Sequence, residues 1–196
     1  MGRSCPKCGY AVDWSANFCP KCGCDLSTSV KKKEFDIRDG VLLYYIGDGG
    51  DVVIPKGVRR IENCAFQCTG YIKSVIIPEG VKEIGDEAFS GCKNLKSITI
   101  PASLEVIDFL AFESCISLSS IKIANGNKHF YMDGNCLIRR SDKCVLVAFK
   151  DFRIPNGVEK ISDGVFMGRD FSSITIPASV KLLVTVRSRI AKTLKA

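Results

Sequence analysis

Isoleucine recurs at Ile54, Ile77, Ile100 and Ile123, each 23 residues after the last. Three of the four precede proline, at Pro55, Pro78 and Pro101, and the series resumes at Ile154-Pro155 and Ile176-Pro177. A period of this length dictates the kind of fold before any local detail is considered. Twelve residues into each unit a phenylalanine follows a small residue, as Ala65-Phe66, Ala88-Phe89, Ala111-Phe112 and Val165-Phe166. Val58/Ile61, Val81/Ile84, Leu104/Ile107 and Val158/Ile161 fill the space between, and Ile72/Val75, Leu95/Ile98 and Leu118/Ile121 close the units. A unit of 23 residues cannot bury so many apolar side chains by itself, whereas stacked copies can. The pattern therefore predicts a mainly β solenoid of about five repeats, with parallel strands about 4.8 Å apart.

Within each unit the local chemistry agrees. "SVII", "SITI" and "SIKI" alternate apolar and polar residues with period two, the signature of a strand buried on one face. Proline ends these strands because it lacks the N–H that a ladder needs. "EGVKEIG" is expected to form a second short extended segment, and "DEAFSGC" a helix-like turn that drops its phenylalanine into the core. After Ile123 the proline gives way to Ala124, and the next unit starts 31 residues later. Residues 124–153 are read as a hairpin insert with a turn near Ser141-Asp142, an elaborated turn of the solenoid. A similar block, residues 35–53, is read as an N-terminal hairpin cap. Both blocks carry Asp-Gly, at Asp39-Gly40 and Asp133-Gly134.

The unit written here as "IPEGVKEIGDEAFSGCKNLKSIT" resembles the BspA-like leucine-rich repeat found in many bacterial proteins. The resemblance covers roughly residues 35 to 183. It implies a leucine-rich-repeat solenoid and a binding scaffold without catalytic residues, and it names no ligand.

The front of the chain is different. "CPKCGYAVDWSANFCPKCG" holds Cys5-x2-Cys8 and Cys19-x2-Cys22, ten residues apart, each pair followed by glycine. Two thiolates at this spacing fold into a tight knuckle, and two knuckles offer the four sulfurs that tetrahedral zinc takes. Residues 1–26 resemble a small zinc ribbon of the double-CxxC type. Cys5, Cys8, Cys19 and Cys22 are the predicted ligands of one structural Zn²⁺, with Cys24 a bystander that could compete with Cys22. The weaker alternative is a redox pair, which neither the duplication nor the surrounding pattern favours. Residues 27–34 read as a basic polar linker.

Charge is uneven. Residues 1–33 carry +4, residues 181–196 carry +5, and the body between them carries −2 within a total of +7. Only the ends are basic, so the body is not a polycation of the kind that tracks nucleic acid. The longest apolar runs, Val41 to Ile46 and Cys144 to Phe149, fall far short of the roughly 18 residues of a membrane helix. The start shows no secretory h-region, and the chain is expected to be cytoplasmic and so to keep its 11 cysteines reduced. Residues 184–196 read as a basic tail, and from Leu183 just before it Val186, Ile190 and Leu194 recur at helical spacing. A capping helix over the last coil is expected there, with a basic amphipathic segment or a frayed end as alternatives.

No part of the sequence assembles an acid, a base and a nucleophile. His129 is the single histidine and has no evident partner. Cys92 and Cys115 share one repeat position and read as core residues, as do Cys64 and Cys68. Cys136 and Cys144 are placed to face each other across the hairpin. The outward strand positions Ile76, Thr99, Lys122 and Arg153 are the candidate partner-binding residues. The chain is therefore read as a non-enzymatic scaffold for a protein partner. The alternative is a nucleic-acid-associated protein whose ribbon and basic ends contact phosphates.

Overall fold

The computed structural model describes residues 3–5, 7–13, 16–24, 26, 34–108, 110–149, 152–166, 174–183 and 194–195. The chain divides into two compact units, Met1–Lys33 and Glu34–Ala196. Among the described residues there is no helix, and none is long and apolar enough to cross a membrane.

The larger unit is a β-solenoid. One sheet contains Phe35–Arg38, Val41–Tyr45, Arg60–Ile61, Glu83–Ile84 and Val106–Ile107. Its first two strands form an antiparallel hairpin, and every later pairing is parallel. A second sheet stacks Gly50–Val53, Ile72–Ile76, Ser97–Ile100 and Ser120–Ile123, all parallel. Each rung advances by one repeat, so the 23-residue period of the sequence becomes the register of the sheets. Between them the Pro-x-Gly turns bend the chain. The Pro78 carbonyl accepts the Val81 N–H at 3.4 Å, and Gly80 supplies a φ of +100° that other residues adopt only with strain.

The "EAF" segments form turns that also stack. Phe66 N–H donates to the Ala88 carbonyl at 2.7 Å, and Phe89 N–H to the Ala111 carbonyl at 2.8 Å. Repetition aligns the rings themselves. Centroids lie 5.1 Å apart for Tyr45–Phe66, 4.8 Å for Phe66–Phe89 and 5.5 Å for Phe89–Phe112, each pair stacked. Around this column Leu42, Ile54, Ile61, Ile72, Ile84, Leu95 and Ile98 are all at or below 1% exposure, which makes one continuous core.

The hairpin insert departs from expectation. Phe130–Asp133, Cys136–Arg139 and Cys144–Ala148 form three antiparallel strands, and the last then pairs in parallel with Lys160–Ile161 of the next repeat. The insert is therefore not an elaborated turn. Leu137, Val147 and Phe149 enter the first core, while Cys136, Ile138, Val145 and Ala148 enter a second core with Ile154, Val158, Ile161 and Phe166. Cys136–Arg139 and Cys144–Ala148 are an internal wall, buried on both faces, with the half-buried Phe130–Asp133 at its edge. Asn127 fastens the wall to the preceding coil: its side-chain amide donates to the Pro101 and Leu104 carbonyls at 2.9 and 3.1 Å. Its carbonyl oxygen accepts the His129 and Phe130 N–H groups at 2.8 and 2.9 Å. The turn between Cys136–Arg139 and Cys144–Ala148 does contain Ser141-Asp142, held by Arg139 donating twice to Asp142 at 2.9 Å.

Glu159 links three successive strands of the next sheet from outside. It accepts Lys143 at 2.9 Å and Lys181 at 3.0 Å, and these two cations hold its carboxyl down at about 2. The linker expected at 27–34 lies outside the described residues except for Glu34. The capping helix expected over 184–196 also lies outside them, except at Leu194 and Lys195, which form a strand in place of helix. The described pair Leu194–Lys195 runs parallel to Ile174–Thr175.

Candidate metal centre and exposed strand face

The two CxxC loops fold alike. Gly9 N–H donates to the Cys5 carbonyl at 2.9 Å and Cys5 N–H to the Tyr10 carbonyl at 2.8 Å. In the second loop Gly23 N–H donates to Cys19 and Cys19 N–H to Cys24, both at 2.8 Å. Gly9 and Gly23 sit at φ of +70° and +68° with open space where a Cβ would project, so the turn's conformation alone calls for glycine. The antiparallel pair Arg3–Ser4 with Ala11–Val12 completes a small ribbon. Among its described residues Val12 and Leu26 join Cys5 and Cys19 as the buried centre, which is too little apolar surface to hold a fold.

These loops bring four sulfurs together. Cys5 Sγ lies 3.6 Å from Cys22 Sγ, Cys8 Sγ lies 3.6 Å from Cys19 Sγ, and all four are within 4.8 Å of one another. Cys24 stands outside this set. A tetrahedral ion with sulfur at about 2.3 Å spaces its ligands by about 3.8 Å, so the cluster could hold one metal ion with little adjustment. Electrostatics point the same way. Burial pushes the Cys5 thiol up, but the N–H groups of Cys8 and Lys7 and the sulfurs of Cys22 and Cys8 outweigh it and bring it to about 6. The Tyr10 N–H draws the Cys8 thiol down, while burial and the sulfurs of Cys22, Cys5 and Cys19 push it to about 12. Four thiolates this close need a cation between them.

On the solenoid, the second sheet aligns Ile76 with Thr99 and Thr99 with Lys122. The row begins one strand earlier at Val53, opposite Ile76. Val53 is 60% exposed and Ile76 46%, and Lys122 is exposed as well. Val53 could have been found by stepping back one period from Ile76. Arg153 does not join the row. Its N–H donates to the Gly134 carbonyl at 2.9 Å, so the hairpin wall claims its backbone where a fifth strand would have continued the sheet.

The other cysteines divide. Cys92 and Cys115 are buried, and their thiols donate to the Phe66 and Phe89 carbonyls at 3.0 and 3.1 Å. Burial pushes the Cys92 thiol up to about 12, so it is an unreactive core group. Cys64 and Cys68, expected in the core, are exposed at φ of +57° and +56°. Cys136 and Cys144 do not oppose each other, since Cys136 faces Ala148 and Cys144 faces Arg139. Of the hairpin aromatics, Phe130 is buried and Tyr45 and Tyr131 pack against the cores, leaving Tyr44 exposed. His129 is exposed beside Phe130.

The family model described as "BspA type Leucine rich repeat region" matches six copies over residues 44–138 and 144–185. Among solved structures, a leucine-rich repeat protein of T. pallidum is 26% identical at a TM-score of 0.46, over 79% of this chain and 63% of that one. A leucine-rich repeat protein of Eubacterium ventriosum is 19% identical at 0.45, over 74% and 57%. A leucine-rich cell surface protein of Faecalibacterium prausnitzii is 21% identical at 0.46, over 79% and 50%. The chain thus spans less than two thirds of the length of each of these relatives. No curated protein sequence matches it. With six copies of the repeat model covering more than half of its length, the chain belongs to the BspA-type leucine-rich repeat family, whose members are generally scaffolds for protein interaction.

Proposed function

We propose that the chain is a non-catalytic binding scaffold for a protein partner, carrying one structural Zn²⁺ in its N-terminal ribbon. The observation that carries the scaffold reading is the in-register row Val53, Ile76, Thr99 and Lys122. It sets two exposed β-branched side chains beside an exposed cation on a rigid sheet. Exposed apolar side chains held on such a support are what a partner needs for a buried contact. Cys5, Cys8, Cys19 and Cys22 would hold the metal. Zinc is the ion that four thiolates at this spacing favour. Four sulfurs close its coordination shell, so the ion would organise the ribbon and leave no position for a substrate. A site built from free thiols suits a reducing compartment, and we place the protein in the cytoplasm on that ground.

Affinity capture from the native organism tests the scaffold reading. The full-length chain should retain a protein partner that the double variant Ile76→Asp, Lys122→Glu loses. Lys56→Glu, a charge reversal in an exposed turn, should keep it. Equal capture by the double variant would move the site off this face, and recovery of nucleic acid in place of protein would replace the reading.

A further inference from the structure

The two sheets of the solenoid treat their charges in opposite ways. On the sheet of Arg60–Ile61 and Glu83–Ile84, Arg60 pairs with Glu62 at 3.4 Å and Glu83 at 3.3 Å, and nearby Lys82 pairs with Glu105 at 2.7 Å. Arg60 and Lys82 are thus each matched by an acid one coil on, Glu83 and Glu105. On the other sheet the exposed lysines Lys73, Lys96 and Lys122 make no ion pair among the described residues. Lys73 and Lys96 are nonetheless held in order. Lys96 N–H donates to the Lys73 carbonyl at 2.8 Å, and Ser119 N–H to the Lys96 carbonyl at 3.0 Å, so this row stacks like the strands it precedes.

Between the lysine row and the Val53–Lys122 row runs a line of small groups, Asp51, Ser74, Ser97 and Ser120, in register. Small side chains there leave room for another chain to lie across the strands. The face is also polar along its length. Its early end holds Val53 and Ile76 with Asp51, whose carboxylate accepts the Ser74 hydroxyl at 2.7 Å. Lys73 also stands on the early strand with Ile76, so that end has no net charge with Asp51, whereas the later end holds Lys96 and Lys122 without an acid in the two rows. Glu79, just past the Ile72–Ile76 strand, spends its carboxylate on the Ala102 and Ser103 N–H groups at 2.8 and 3.2 Å.

We infer that this face takes an extended acidic peptide segment of the partner, with an apolar side chain over Val53 and Ile76 and carboxylates over Lys96 and Lys122. The inference rests on the scaffold reading above and adds the partner's chemistry. From Val53 to Lys122 is three rungs, about 14 Å, or about four residues of extended chain. The segment should therefore carry an apolar residue about three to four positions from its acids. A nucleic acid fits less well. Asp51 and the two apolar side chains oppose a uniform polyanion, and the two outward rows offer no ring on which a base could stack.

The test is selection of a random twelve-residue peptide display library on the immobilised full-length chain, with affinities then measured on synthetic copies of the winners. Winners should combine an apolar residue with two or more Asp or Glu at that separation. Their affinity should fall about tenfold or more in Lys96→Glu, Lys122→Glu, and fall with salt as the Debye length shrinks to about 3 Å near 1 M. Lys56→Glu should bind as the parent does, and circular dichroism should show both variants folded. Ile76→Ser should weaken binding while leaving the preference for acids intact. Winners that bind this face without an acidic excess, or that ignore the double reversal, overturn the acidic-segment inference and leave the scaffold reading standing. An oligothymidine that binds more tightly than any peptide overturns the inference in favour of nucleic acid. If no peptide is enriched and no protein is captured from the organism, both fall.

Discussion

Replacing Cys5 and Cys19 by serine together is expected to abolish zinc binding and unfold the N-terminal unit. Together the two substitutions remove one sulfur from each of the two close pairs, Cys5–Cys22 and Cys8–Cys19. Little else holds the unit. Among its described residues the strand pair is two residues long on each side, and the buried apolar residues beyond the cysteines are Val12 and Leu26. Metal coordination contributes apparent energies of about 10–16 kcal/mol at such four-thiolate sites, far more than this core can replace. Metal analysis of the purified parent should return about one zinc per chain, and the double variant none. A chelator should have the same effect. The solenoid, a separate compact unit with its own continuous core, should keep its β-sheet circular dichroism in both cases. A variant that retains full zinc would remove these ligands from the account.

Phe89→Ala is expected to destabilise the solenoid by about 3–5 kcal/mol, the usual range for deleting a buried ring. Phe89 is fully buried between Phe66 and Phe112, with ring centroids at 4.8 and 5.5 Å. Its coil is interior, flanked by described coils on both sides, so the cavity cannot open to solvent without breaking the turn ladder through the Ala111 carbonyl. At about 2–4 °C per kcal/mol for a unit of this size, the melting temperature should fall by roughly 6–20 °C. Ile76→Ser, on the outward row of the preceding strand, should change it little, because the side chain there packs on no core. Comparable losses from both substitutions would mean that the outward row is structural.

Much of this architecture is legible in the sequence, and the misses have physical causes. The 23-residue recurrence of Ile-Pro and Ala-Phe reads directly as strand register and as the aromatic column. The knuckle spacing of Cys5, Cys8, Cys19 and Cys22 reads as convergent sulfurs, because a CxxC turn closed by glycine leaves few alternatives. The hairpin wall was harder. "CVLVAF" reads as part of a hairpin in an elaborated turn, yet a continuous apolar run is also the mark of a strand buried on both faces. That second meaning is the one the fold uses, since Val145 and Val147 enter different cores. Arg153 was placed by repeat phase alone, and the wall interrupts the phase. Cys64 and Cys68 were assigned to the core by residue type. Their repeat positions are left-handed turn positions, filled elsewhere by Glu87 and Leu110 or by Gly91 and Ser114, and that constraint shows in no single residue. The lysines of one sheet, without an ion pair among the described residues, and the paired Arg60 and Lys82 of the other carry the same charge in the sequence and separate only when the strands are aligned.

The claim at the centre of this account is that the strand face bearing Ile76, Thr99 and Lys122 holds the protein partner while the metal ribbon serves as a structural unit. Site-specific photo-crosslinking tests it most directly. A photoreactive residue placed in turn at Ile76, at Lys122, at Val106 on the other sheet, and at Lys7 in the ribbon reports which surface the captured partner touches. The expected result is a crosslinked partner from Ile76 and Lys122 and none from Val106 or Lys7. Crosslinks from Val106 or Lys7, with Ile76 and Lys122 silent, would contradict it.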